Sequence, residues 1–478
     1  MNPYPPSSVE TPLQRESENE KALLAPLLPA SPPIEEVPPR PRCFGLRRRR
    51  RYIGTHREPR SQGRKICMRL LHFVVILSLV VLYLRPTIHR FIRGILHHHS
   101  MEYPQNGDEC VERAVWTPTD DTGSPHRPRF QHFASTSFQL PRFSDLLYFV
   151  SGGSYANGVI SITNSPGVPT DTVEVEIVAS YNSQELFDGV DVCTLHRGGD
   201  ENKNGVGIFT PHYWPQPHDH RMHFYVNVKL PLPDGGPEGD YLFFNDLETR
   251  LPLFVHHVGD LQNTALFHLL DLSSSNTPID VESVLAEKVL IKATNNNIKG
   301  TFNVTDNIDL ITTNGAIRVN VNLDSDAVSE TSASLRSTNG PVVGDFSLRS
   351  TTQDGSKGIF RVSTFSTNAP VDAKFPVAPI GHTLHLIAHT SNSPVSASLH
   401  KSFEGSFTVS SSPFIPPSIQ YDRDIPDPAG RGRHRRVEYS RQRRGEITGS
   451  TSWSAPGERH DVGDVELSTS NSPAHLIL

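Results

Sequence analysis

The residues best suited to chemistry lie close together in TPHYWPQPHDHRMHF, which holds His212, His218, Asp219, His220 and His223. Clustered imidazoles are ligands for zinc or copper. On a strand, His218 and His220 would share one face and Asp219 would point away. The prolines in this stretch favour a loop without fixed ligand geometry. With 23 histidines in the chain, local clusters also arise without function. His256-His257 and His97–His99 are weaker versions of the same signal. No metal and no other cofactor is expected.

Other chemistry has less to build on. The chain contains no Walker-type loop, H-E-x-x-H, C-x-x-C or G-x-S-x-G. Glycan cleavage needs carboxylates paired across a bond, whereas Asp324, Asp326 and Asp345 show no fixed offset. The expectation is a non-enzymatic protein, with a carbohydrate-active β-helix enzyme as an alternative. Two covalent features remain. Asn303-Val304-Thr305 is an N-glycosylation acceptor triplet. Of the four cysteines, Cys110 and Cys193 lie in the long C-terminal part, where an oxidising lumen would permit one disulfide. Two unpaired thiols fit the sequence equally. Cys43 lies on the other side of an apolar stretch and Cys67 at its near edge, where it is placed for palmitoylation.

That stretch, Ile66 to Leu84, ICMRLLHFVVILSLVVLYL, is the one run that could cross a bilayer. Its apolar centre, Leu70–Leu84, covers about 22 Å as a helix. Residues 40–69 carry 12 Lys or Arg, five of them consecutive at Arg47–Arg51, against four in residues 85–114. The positive-inside rule then holds the head in the cytoplasm and exports the tail, as a signal-anchor. The head, residues 1–69, carries 14 basic and seven acidic side chains, hence +7, and the whole chain is −6, so the remainder is −13. A basic head beside anionic lipid and an acidic exported tail fit that split, and nucleic acid does not. The implied locations are the plasma membrane or the secretory pathway.

Residues 1–45 are dense in Pro, Ser and Glu, and 1–65 read as a disordered, Pro-rich basic head; 66–84 form the span and 85–130 a stalk. From about Gln131 apolar residues alternate, as in Val173, Val175 and Ile177, or Phe224, Val226, Val228 and Leu230. This is the period of half-buried strands, and 131–280 read as a β-rich exported domain. The only helical candidate of any length is near Ile279–Leu290.

Residues 281–410 repeat. Thr-Asn-Gly-Ala at 313–316, Thr-Asn-Gly-Pro at 338–341, Thr-Asn-Ala-Pro at 367–370 and Ser-Asn-Ser-Pro at 391–394 place Asn314, Asn339, Asn368 and Asn392 at intervals of 25, 29 and 24. Ser-Asn-Ser-Pro at 470–473 follows 79 residues on, and Thr-Asn-Ser-Pro at 163–166 precedes the set. Asn tolerates turn conformations and bonds locally, and stacked asparagines can form an amide ladder. Two strands and one turn per repeat predict a β-solenoid; a β-sandwich that reuses Asn turns is the alternative. Residues 411–462, with Arg441-Gln442-Arg443-Arg444 resembling a processing site, read as a mobile basic loop. Residues 463–478 read as the closing repeat.

The Asn turns, the end GDVELSTSNSPAHLIL and the preceding DPAGRGRHRR…TGSTSW resemble the adhesin-type β-repeat domain family. More narrowly, the layout resembles uncharacterised fungal single-pass membrane proteins with such a domain. The stretch VEIVASYNSQELFDGVDVCTLHRGGDENKNGVGIFTP is similar to their first exported segment. The resemblance covers roughly residues 150–478 and implies surface attachment, with no ligand or site residues. The expectation is therefore a mainly β protein: a solenoid-like repeat domain and an upstream β-rich segment, following one transmembrane helix. Its partners would be the bilayer and a cell-wall glycan or surface protein. A scaffolding role in the secretory pathway is the alternative.

Overall fold

The computed structural model describes residues 108–119, 130–211, 221–234, 240–443, 445–453 and 463–478. The span at 66–84 lies outside them. No helix among the described residues is long and apolar enough to cross a membrane. The described chain is mainly strand. Its one α-helix, Gln184–Asp188, is capped by Ser183, whose hydroxyl accepts from the Leu186 amide.

Alternation sets the strands. In Thr172–Tyr181, Val173, Val175 and Ile177 are fully buried while Glu174 and Glu176 face outward. Met222–Leu230 buries Phe224, Val226, Val228 and Leu230 in the same way. The strands then stack in parallel as pairs joined by an Asn turn. Glu330–Ser337 and Val342–Ser350 lie on Ile359–Ser366 and Val371–Val377, which lie on Thr383–Thr390 and Val395–Ser398. The residue that opens each second strand stacks on its counterpart in the next pair: Ile298, Ile317, Val342, Val371, Val395 and Ala474 form one column, each at most 1 % exposed. Ala333, Val362, Leu386, Val465 and Phe407 form another along the first strands of the pairs. Fully burying a Val, Leu, Ile or Phe side chain contributes about 1.5–3 kcal/mol, so the columns repeat one favourable contact along the stack.

The stack extends below residue 281. Leu242–Arg250 pairs in parallel with Ala265–Ser274 and, on its other edge, with Leu146–Gly152. Phe254–Asp260 likewise lies between Ile279–Ala293 and Gly158–Asn164. The expected border at 280/281 falls inside the single strand Ile279–Ala293, and the described residues all belong to one compact unit. That strand also replaces the expected helix. Its register shifts between Val281 and Val284 and again between Ala286 and Lys288. Each bulge moves a buried residue three positions on, Val281 to Val284 and Ala286 to Val289, which imitates helical spacing. The expected stalk is shortened too: Asp108–Arg113 is a strand paired with Asp191–Arg197.

At both ends stack order departs from chain order. The C-terminal pair, Asp464–Thr469 and Ala474–Ile477, enters between Thr383–Thr390/Val395–Ser398 and Gly405–Ser410/Ser418–Gln420. It is inserted into the stack and does not close it. The segment expected to be a mobile loop supplies instead the hairpin Arg436–Arg443/Glu446–Ser452, which pairs antiparallel with Gly405–Ser410. At the other end, Thr172–Tyr181 and His132–Pro141 extend antiparallel from Met222–Leu230, and Asp191–Arg197 and Asp108–Arg113 from Lys203–Phe209. Antiparallel caps thus cover parallel edges that would otherwise template further pairing.

The turns are packed to backbone contact. A Cβ on Gly340 would lie 1.7 Å from the Gly315 carbonyl oxygen, and one on Gly315 would lie 1.8 Å from that of Asn296. Gly340→Ala should lower full-chain stability by about 1–3 kcal/mol in urea denaturation. Ala369→Gly, at the matching position of the next turn, should cost under about 1 kcal/mol. Equal effects at the two positions would contradict this packing.

Candidate functional site

The Asn turns line one edge of the stack. Their side-chain amides form a continuous ladder in which each Nδ2 donates to the Oδ1 of the turn before. Asn295 bonds Asn276 at 2.7 Å, Asn314 bonds Asn295 at 2.7 Å, Asn339 bonds Asn314 at 2.7 Å and Asn368 bonds Asn339 at 2.7 Å. Asn392 bonds Asn368 and Asn471 bonds Asn392, both at 2.8 Å. Beneath it runs a row of hydroxyls. Ser337 donates to Gly315 O and accepts from Gly340 N–H, Ser366 donates to Gly340 O and accepts from Ala369 N–H, and Thr390 donates to Ala369 O. Five ladder members were visible in the repeat. Asn276 and Asn295 were not, although Ser-Asn-Thr-Pro at 275–278 carries the motif, because the first turns are only 19 residues apart. Asn164 stands outside the ladder and donates to Thr264 Oγ1 at 2.6 Å and Asp260 O at 3.3 Å.

The outward faces carry paired charges and amides. Asn303, the expected glycan acceptor, is 6 % exposed. Its Nδ2 donates to Val284 O at 3.0 Å and Gln262 Oε1 at 3.1 Å, and its Oδ1 accepts from Asn322 at 2.8 Å and Arg349 at 3.1 Å. In the folded protein the Asn303 amide is thus fully engaged, and a sugar on Nδ2 would have to displace its bonds to Val284 and Gln262. Asp324, Asp326 and Asp345 serve separate ends. Asp324 pairs with Arg349 at 2.7 and 2.9 Å. Asp326 caps its own turn, where the Ser329 and Val328 amides hold its carboxyl below the usual range. Asp345 sits at a paired position opposite Lys374.

A shallow polar groove of ≈ 420 Å³ opens on the cap built by His132–Pro141 and Thr172–Tyr181. Glu112, Arg113, Ser135, Ser137, Glu174, Glu176 and Lys229 contribute to its lining. Lys229 bridges Glu174 at 3.0 Å and Glu176 at 3.1 Å, and the hydrogen bond to Glu174 is the main reason its ammonium is held above the ordinary range. Carboxylates, hydroxyls and cations within one groove can bind a polyhydroxylated ligand through hydrogen bonds. Nearby, Cys110 and Cys193 are joined as a disulfide, S–S 1.97 Å, across adjacent cap strands. With Asp191 they form the one close group of three metal-type donors among the described residues, but disulfide sulfurs are not thiolate ligands.

The histidine cluster falls mostly outside the described residues: His212, His218, Asp219 and His220 do, as do His97–His99. His223 is described. Its Nδ1 lies 3.3 Å from Asn157 Oδ1 and its ring packs against Phe130 and Tyr225. His256 is a core histidine, fully buried, with Nδ1 2.9 Å from Phe254 O and Nε2 2.9 Å from Thr249 Oγ1. Both ring nitrogens are used within the protein. Of Arg441-Gln442-Arg443-Arg444, the first three residues belong to the Arg436–Arg443 strand of the cap hairpin.

No family model matches the chain, and comparison with curated proteins returns no match. Among solved structures, a "putative adhesin" from Parabacteroides merdae aligns over 55 % of this chain and 95 % of its own, at 9 % identity and TM-score 0.28. One from Bacteroides fragilis aligns over 55 % and 96 %, at 10 % identity and TM-score 0.28. A "putative cell adhesion protein" from Clostridium sporogenes aligns over 72 % and 99 %, at 7 % identity and TM-score 0.15. Superpositions this loose carry no argument about function.

Burial pushes the His256 imidazole down to about 4 in the folded protein against about 6.5 unfolded. The unfolded chain therefore binds the proton more readily. The stability His256 contributes is fully present above about pH 6.5 and is lost as pH falls through about 4. Unfolding midpoints of the full chain should drop across that interval, and the drop should be shallower in His256→Gln. An identical pH profile in the variant would contradict the assignment.

Proposed function

We propose that this chain is a non-enzymatic, single-pass type II membrane protein whose tail is a β-solenoid acting in surface adhesion or cell-wall contact. The observation that carries this reading is the unbroken asparagine ladder. It fixes successive strand pairs in register and makes a stiff body with polar faces, suited to projecting a contact surface away from a membrane. The Cys110–Cys193 bond supports an oxidising compartment for the tail, in accord with the basic flank at Arg47–Arg51. The groove beside Glu174, Glu176 and Lys229 is the contact we assign to a polyhydroxylated partner such as a wall glycan.

The full chain in detergent, screened on a glycan array, should bind a restricted set of polysaccharides. Glu174→Ala combined with Glu176→Ala should weaken that binding at least tenfold with the unfolding midpoint little changed. In sealed microsomes the tail should resist added protease until detergent opens the vesicles. Uniform absence of glycan binding would remove the adhesion reading, and a tail cleaved in intact vesicles would remove the topology.

A further inference from the structure

At the cap farthest from the groove, two arginines flank Trp453, and among the described residues only one of them makes an ion pair. Trp453 is 1 % exposed. Its indole N–H donates to Lys401 O at 2.9 Å and its backbone N–H to Glu404 Oε2 at 3.1 Å. The guanidinium carbons of Arg433 and Arg435 each lie 6.0 Å from its ring centroid. Arg433 is satisfied. It grips Asp427 through Nε at 3.1 Å and Nη2 at 2.9 Å, with Glu404 at 3.6 Å. Asp427 also accepts the backbone N–H groups of Ala429, Arg431 and Arg433. The Arg433 guanidinium and these amides hold its carboxyl well below the usual carboxylate range.

Arg435, two residues on, is only 8 % exposed. Its Nε donates to Thr451 Oγ1 at 3.3 Å. Nη1 and Nη2 are closed off from solvent and meet no acceptor among the described residues. Burial pulls this guanidinium below its ordinary range and the charge of Asp422 opposes that shift. Arginine nonetheless stays charged in proteins. Burying an ion without a partner costs several kcal/mol. The Nη1/Nη2 end is the half of the fork that matches a planar carboxylate with two parallel hydrogen bonds.

We propose that Arg435 is a carboxylate-recognition residue, whose Nη1–H and Nη2–H each donate to one oxygen of a ligand carboxylate beside Trp453. The ligand would be the acid group of a small molecule, either a free short-chain acid or a uronic sugar. Asp427 and Arg433 act as positioning residues that fix the turn from which Arg435 projects. This site and the groove lie on opposite caps, so either can fail with the other intact.

The test is a thermal-unfolding titration of the full chain with sodium acetate, acetamide, sodium glucuronate and sodium chloride at matched ionic strength. Acetate should raise the midpoint saturably, and its neutral isostere acetamide should not. Arg435→Met should abolish the shift, and Arg435→Lys, a point charge without the fork, should weaken acetate binding at least threefold. A response to glucuronate as well as acetate identifies a sugar acid, and a response to acetate alone identifies a free small acid. If Arg435→Met does not fold, line broadening of isotope-labelled acetate, compared between wild type and Arg435→Lys, gives the same reading. No saturable acetate effect, an equal effect from chloride, or equal acetate binding by wild type and variant would overturn the proposal.

Discussion

A side-chain amide can accept from the neighbour on one side of a row and donate to the neighbour on the other, and that constraint governs this stack. Strands in a sheet repeat every 4.7–4.9 Å. An asparagine on each turn can pass a hydrogen bond to the next only if every turn returns to that repeat. From Asn276 to Asn471 six such bonds measure 2.7–2.8 Å. Length variation must then leave the stack elsewhere. Where the asparagines are 19 residues apart, single strands such as Ile279–Ala293 and Ile298–Thr312 run through and pair with a different strand along each half. Where they are 25 and 29 apart, the extra residues form turns at 326–329 and 351–358. Asp326 and Asp354 hold these turns by accepting nearby amide and hydroxyl hydrogens. The 79-residue interval accommodates an entire cap hairpin.

Period-two alternation made the strands legible, because an inward valine is inward wherever its strand pairs. The Asn turns were legible for a related reason, since each is a local solution that recurs. What chain order conceals is the neighbour in space. Asp464–Thr469 looks terminal in sequence but pairs on both edges. Asn303 looks like an acceptor triplet on a repeat face, yet its amide bonds across three successive strands. In Ile279–Ala293 two bulges disguised a strand as a helix, because one skipped residue converts a spacing of two into three. The buried Arg435 was visible only as one basic residue among many. Nothing in DPAGRGRHRR separates the arginine held by Asp427 from the one beyond it.

The caps link architecture to function. A parallel stack left open at either end would recruit other chains through its free strand edges. Here one end carries a disulfide-tied antiparallel layer with a polar groove. The other carries a hairpin and an arginine-flanked tryptophan. Both proposed recognition sites therefore sit where the repeat stops and irregular turns position side chains. The membrane span and the basic head are proposals of the sequence, and they set the direction in which such a body would project.

The insertion of the C-terminal pair is the point on which this account is most exposed, and paired cysteines address it directly. Ser396 is registered opposite His475, and His475 opposite Ser418. Adjacent parallel partners fall within disulfide reach, and partners separated by an intervening strand do not. Under mild oxidation Ser396→Cys with His475→Cys should cross-link, and Ser396→Cys with Ser418→Cys should not. A cross-link in the second pair and none in the first would place the C-terminal segment outside the stack and contradict the architecture described.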